Sequence, residues 1–176
     1  MGFILFHENL RLKGVPVTGF TGVRLENTLR ISSTISPDGQ AVSVIFDNLV
    51  VAVGSTKGHP IATQVASIIV PMTENDAPLI VRQDIRGFVS IALGARAALI
   101  AHLGGKTFLV DLPTTPVSQG DYLRTFESTL PAGVDYQATF FLLVECDSNG
   151  PDVGAHLTVD ALDITLKTQG SEKNKG

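Results

Sequence analysis

Arg82, Asp84 and Arg86 stand two residues apart in LIVRQDIRGF. In an extended chain that spacing puts all three side chains on one face. Two guanidinium groups flanking a carboxylate could bind an incoming carboxylate or phosphate. The same row could close ion pairs with neighbouring strands, and that structural reading is preferred. Asp147, Asn149 and Asp152 surround a glycine in DSNGPD. Oxygen ligands around a tight turn suit Ca²⁺, the one cofactor for which any candidate ligands stand, but the EF-hand spacing and its closing Glu are missing. A plain turn is preferred there, and also at Glu74, Asn75 and Asp76. His102 and His156 fall on polar faces of their strands, and they form a metal or pH-sensing pair only if those strands are neighbours. One cysteine, Cys146, excludes an internal disulfide. With His7, His59, His102 and His156 it makes no standard metal spacing. At the end of FFLLVEC it reads as a small buried hydrophobe. No G-x-S-x-G, phosphate loop, G-x-G-x-x-G or H-E-x-x-H is present, so no residue is assigned a catalytic role.

The elements that would position these groups alternate with period two almost throughout. Leu29, Ile31, Ser33 and Ile35 oppose Arg30, Ser32 and Thr34, and AVSVIFDN follows after Pro37-Asp38-Gly39. Two alternating runs around such a turn predict a β-hairpin. LVVAV, IATQVASIIVPM, the Arg82 run and KTFLVDLP, entered from Gly104-Gly105, read as further strands. Ala95 to Leu103 has helix-forming composition, yet apolar residues hold every odd position from Val89 to Leu103. This favours two strands bent at Gly94 over a helix. Residues 113–133, rich in Pro, Thr, Ser and Gly, read as the longest irregular stretch, with a short helical turn near Asp121 to Phe126. VDYQATFFLLVEC reads as a strand buried on both faces.

The last strand changes face. In HLTVDALDITLK the apolar residues are Leu157, Val159 and Ala161, then Leu162, Ile164 and Leu166. Both halves can face a core only through a bulge near Ala161–Leu162 or a bend from one sheet to another. Otherwise one half faces a partner chain. The pattern predicts an all-β protein: a two-sheet antiparallel β-sandwich, jelly-roll-like, with little helix. Residues 1–22 read as an N-terminal arm and first strand, 23–167 as the sandwich domain, and 168–176 as a polar tail.

Composition bounds the partners. The chain has 176 residues, 44% hydrophobic and only 17% charged, where ~25% charged is usual. Mean hydropathy is +0.26. Such a surface exposes much Ala, Val and Thr, or is covered by another copy. A net charge of −4 without a basic run argues against a nucleic-acid partner. No apolar run reaches the ~18 residues that cross a bilayer as a helix, so no membrane insertion is expected. The start, MGFILFHENLRLKG, lacks a basic n-region and a long h-region. The chain as given therefore reads as cytoplasmic, as exported without a classical leader, or as a mature form.

RISSTISPDGQAVSVIFDNLVVAVG resembles the opening of a domain-of-unknown-function family of small, mostly secreted fungal and bacterial proteins. The matching positions are Ser36, Asp38 and Gly39 in the turn, Phe46-Asp47 at a strand end, and Gly54. Asp84, Arg86 and Gly87 look like that family's D-x-R-G motif. The likeness spans about residues 30–103 and implies a β-sandwich without implying an activity. Family members are typically secreted and disulfide-bonded, whereas here there is one Cys at a position that does not match.

Two functions are weighed. The first is a non-enzymatic, self-associating structural subunit, a homo-oligomer. The alternative is a ligand- or carbohydrate-binding module using loops 113–133 and 147–152, although the chain has no Trp and only Tyr122 and Tyr136 for sugar stacking. An enzyme ranks behind both.

Overall fold

The computed structural model describes residues 18–25, 29–54, 61–73, 75–113, 118–146 and 154–167. Every element among them is a strand, and the strands form two antiparallel sheets packed as a sandwich. The five-stranded sheet runs β1 (Arg24–Leu25), β5 (Ile61–Val70), β10 (Tyr136–Cys146), β7 (Ala95–Leu103) and β8 (Lys106–Val110). In the seven-stranded sheet, β6 (Leu79–Ile91) is the spine. One edge of β6 pairs along its full length with β9 (Ser118–Leu130). The other edge pairs with β12 (Ala161–Lys167) and then β11 (Ala155–Thr158), which share one lane. Beyond them lie β3 (Ala41–Phe46) and β4 (Val50–Val53), with β2 (Ile31–Ile35) outermost beside β3.

Alternation drives this arrangement. Val81, Ile85 and Val89 of β6 point inward with no exposed surface, as do Leu99 and Leu103 of β7 and Phe140 and Val144 of β10. Phe46 and Phe140 meet edge-to-face between the sheets, with ring centroids 5.6 Å apart. Edge-to-face geometry sets the positive ring edge against the negative face of its partner. The sandwich closes along one side where Phe108 of β8 stacks on Phe126 of β9 at 4.6 Å. On the other side the Gln64 side chain of β5 accepts the Val50 N–H at 2.9 Å and donates to the Asn48 carbonyl. An amide side chain thus supplies peptide-like pairing to the edge of β4.

The change of face in the last strand is a bulge within one sheet. Leu157 pairs with Val89 and Ala161 with Arg86. Four steps along the last lane (157 to 161) therefore match three along β6 (89 to 86), and the odd residue falls at 158–160, just ahead of the expected position. The displaced main chain finds new partners. Asp160 N–H donates to the Arg86 carbonyl, Val159 N–H to Leu49, and the Asp160 carbonyl accepts from Phe46 N–H. Leu157, Val159, Leu162 and Ile164 are all buried in this chain, so neither half waits for a partner to cover it.

Two expectations are corrected. Residues 118–130 are a 13-residue strand rather than an irregular stretch, with no helical turn at Asp121 to Phe126. The Ser/Thr-rich text concealed an inward series of Tyr122, Ser128 and Leu130, which is polar enough to weaken the hydrophobic alternation. β10 is buried on one face only, because Phe141 lies 45% exposed on the other. The segment from Ala95 to Leu103 is a strand, β7, with Gly94 in the turn before it.

Candidate functional site

The outer face of the five-stranded sheet carries an apolar row. Val65 stands opposite Phe141, Phe141 opposite Ile100, and Ile100 opposite Leu109, so four strands contribute one residue each. Their exposures are 48%, 45%, 40% and 74%. The next row holds Leu143 and Ala98, both half-buried. Polar groups border the patch. On one flank lie Ser67 and Thr139, bonded at 2.9 Å, and His102 with Thr107, also at 2.9 Å. On the other flank Arg96 faces Glu145 at 3.7 Å. A contiguous apolar patch with a polar border is the usual signature of a contact surface.

The opposite outer face is electrostatic. Asp84 accepts from Arg82, with the nearest contact at 3.2 Å, and from the Thr125 hydroxyl at 2.5 Å. Asp163 accepts from Arg86 at 2.5 Å and from the Ser43 hydroxyl at 2.5 Å. Lys167 pairs with Glu127. Asp84 and Asp163 face each other directly in the β6–β12 ladder, with Thr125 and Ser43 continuing the line outward. Two opposed carboxylates could share a proton or a cation. Here each is already occupied by its own arginine and its own hydroxyl. Arg82, Asp84 and Arg86 thus sit on one face, as the spacing predicted, and are engaged in a ladder of ion pairs.

Other candidates separate. His102 lies on the five-stranded sheet and His156 on the seven-stranded sheet, where it tilts against Phe88 at 6.0 Å. Their strands are not neighbours, so the proposed histidine pair does not form. Asp147, Asn149 and Asp152 lie outside the described residues. Among the described residues no group of three or more His, Cys, Asp or Glu is placed to hold a metal. Cys146 is half-buried at the end of β10 and packs against the core. Of the stretch 113–133 weighed as a ligand-binding loop, Ser118–Leu130 is strand β9.

Sequence reasoning missed the apolar row because its members lie on four strands. Only Phe141 stood out, within FFLLV. The signal that could have found the row is an apolar residue at an otherwise polar register position, repeated in several strands. A scan of the chain against protein-family models finds no match, and a search of curated proteins finds none either.

Proposed function

We propose that this protein is a non-enzymatic structural subunit whose copies associate through the outer face of the five-stranded sheet. The observation that carries the reading is the row Val65–Phe141–Ile100–Leu109. Covering it removes apolar surface from water, at about 25 cal/mol per Å². The four strands β5, β10, β7 and the edge strand β8, of 10, 11, 9 and 5 residues and ~4.8 Å apart, offer a face of order 600 Å². That is comparable to the ~800 Å² each partner buries in a standard interface. The low charge content is in keeping with a surface that is partly covered. The resemblance to the family of unknown function fits the sandwich and leaves the assembly reading as it is.

Size-exclusion chromatography with light scattering tests the proposal. The wild-type chain is expected to run as an oligomer. Phe141→Asp, which places a charge in the middle of the row, is expected to give a folded monomer. A wild-type chain that stays monomeric at high concentration overturns the reading, as does an oligomer indifferent to Phe141→Asp.

A further inference from the structure

Between β6, β9 and β10 the core holds a polar cluster. Gln83 of β6 has no exposed surface, Ser128 of β9 is 5% exposed, and Tyr136 of β10 has none. Gln83 Nε2 donates to Ser128 Oγ at 2.6 Å. Gln83 Oε1 and the Tyr136 hydroxyl have no hydrogen-bond partner, although the Gln83 amide lies against that hydroxyl. Buried polar atoms are nearly always satisfied, so these two need an explanation.

Counting donors and acceptors supplies part of it. If the Gln83 amide turns slightly about its soft terminal torsion, the Tyr136 hydroxyl can donate to Oε1. Each of the three side-chain oxygens then has a partner, and the donors left over are the Ser128 hydroxyl hydrogen and the second Gln83 amide hydrogen. In the bond the structure shows, Ser128 Oγ accepts from Gln83, and its own hydrogen has no acceptor among the described residues.

Ser128 lines an open cleft of about 490 Å³ between the β7–β8 turn and the end of β9, with Gly104, Gly105, Lys106, Glu127 and Thr129. The turn is fitted to the hydroxyl. A Cβ on Gly104 would lie 2.6 Å from Ser128 Oγ and 3.3 Å from the Tyr136 ring, and the positive φ of 53° already disfavours a side chain. Of the charges at the rim, Glu127 is neutralised by Lys167. The Lys106 ammonium sits 5.3 Å from the centre of the Phe108 ring and has no carboxylate partner among the described residues. The cleft thus offers a hydroxyl donor and an uncompensated cation.

We propose that this cleft binds a small carboxylate, one oxygen accepting the Ser128 hydroxyl hydrogen and the Lys106 ammonium supplying the countercharge. None of the residues that line the cleft belongs to the apolar row of the assembly face, so binding here does not depend on association. The test is an amide NMR titration of the whole chain with sodium acetate, and with acetamide as the neutral isostere. Acetate is expected to give saturable shifts centred on Gly104, Gly105 and Ser128. Ser128→Ala and the exposed Lys106→Gln are each expected to weaken binding about tenfold or more, the scale of one charge-assisted hydrogen bond. The proposal is overturned if no saturable shift appears up to roughly 0.1 M, a hundredfold above a millimolar constant. Binding unchanged in both variants overturns it too, and acetamide binding as well as acetate overturns the carboxylate assignment.

Discussion

The Tyr122 hydroxyl donates to the main-chain carbonyl of Thr158 at 2.5 Å, passing over β6 to reach a strand beyond it. The path exists because Tyr122 pairs with Gly87, whose missing side chain leaves room for the ring. A Cβ at Gly87 would fall 2.2 Å from the Thr158 oxygen and 2.5 Å from the Tyr122 hydroxyl. The carbonyl so captured is the one turned aside by the bulge, and the Thr158 hydroxyl accepts the Phe88 N–H beside it. Three strands are thereby pinned at the point where the last lane changes register.

Gly87→Ala is accordingly expected to destabilise the fold by about 3 kcal/mol or more, since the clash is with main chain and with a ring that cannot leave. Tyr122→Phe keeps the ring and orphans one carbonyl, for about 1–2 kcal/mol. Urea denaturation of both variants checks the order. An alanine at 87 that costs less than the lost hydroxyl contradicts this account of the bulge.

The bulge shows where sequence reading succeeds. The slip from Val159 to Leu162 was legible because both halves are strongly apolar, and a period-two pattern cannot change parity without an extra residue. The Pro37-Asp38-Gly39 hairpin and the ion-pair row were legible for similar local reasons. β9 was not, because a buried Ser128 and a glycine-facing Tyr122 do not look like core. Nor were the apolar row and the Gln83–Ser128–Tyr136 cluster. Each is assembled by pairing between strands far apart in the chain, and such pairing leaves no mark on any single segment.

Alkali should unfold this protein through its two tyrosines. Burial raises both hydroxyls well above the ordinary tyrosine value, and the nearby Asp160 carboxylate adds to the effect at Tyr122. The folded state therefore holds protons that the unfolded chain releases near pH ~10. Stability is complete below that value and falls as pH rises past it, by up to about 1.4 kcal/mol per pH unit for each tyrosine. With no Trp and only two Tyr, tyrosinate absorbance reports this cleanly. Both should ionise together with unfolding, and gradual ionisation of a still-folded protein would count against the buried placement.

Acid should loosen the β2–β3 turn only below the range where ordinary carboxylates titrate. Asp38 accepts from the Ser36 hydroxyl at 2.5 Å and from the Gln40 N–H at 3.0 Å. These bonds hold its carboxyl below the ordinary carboxylate value, the Ser36 bond contributing most. Their contribution is present above the unfolded value of about 4 and is lost as pH falls through the lower folded value. Carboxyl carbon NMR should show Asp38 titrating below an ordinary aspartate. Ser36→Ala should move it back upward, and an unmoved titration would place the cause elsewhere.

The ion-pair face should matter little to stability despite its order. Arg86 and Asp163 have side chains 52% and 31% exposed, so water and salt screen their attraction. Arg86→Gln is expected to cost less than about 1 kcal/mol. Some of that cost would come from leaving Asp163 opposite Asp84 with one cation fewer, since like charges across a ladder repel. Asp84→Asn in the Arg86→Gln background should then recover part of the loss, an interaction that a double-mutant cycle isolates. The recovery should shrink in high salt. A cost of several kcal/mol, insensitive to salt, would mean that this row is the anchor of the seven-stranded sheet rather than its solvated outer face.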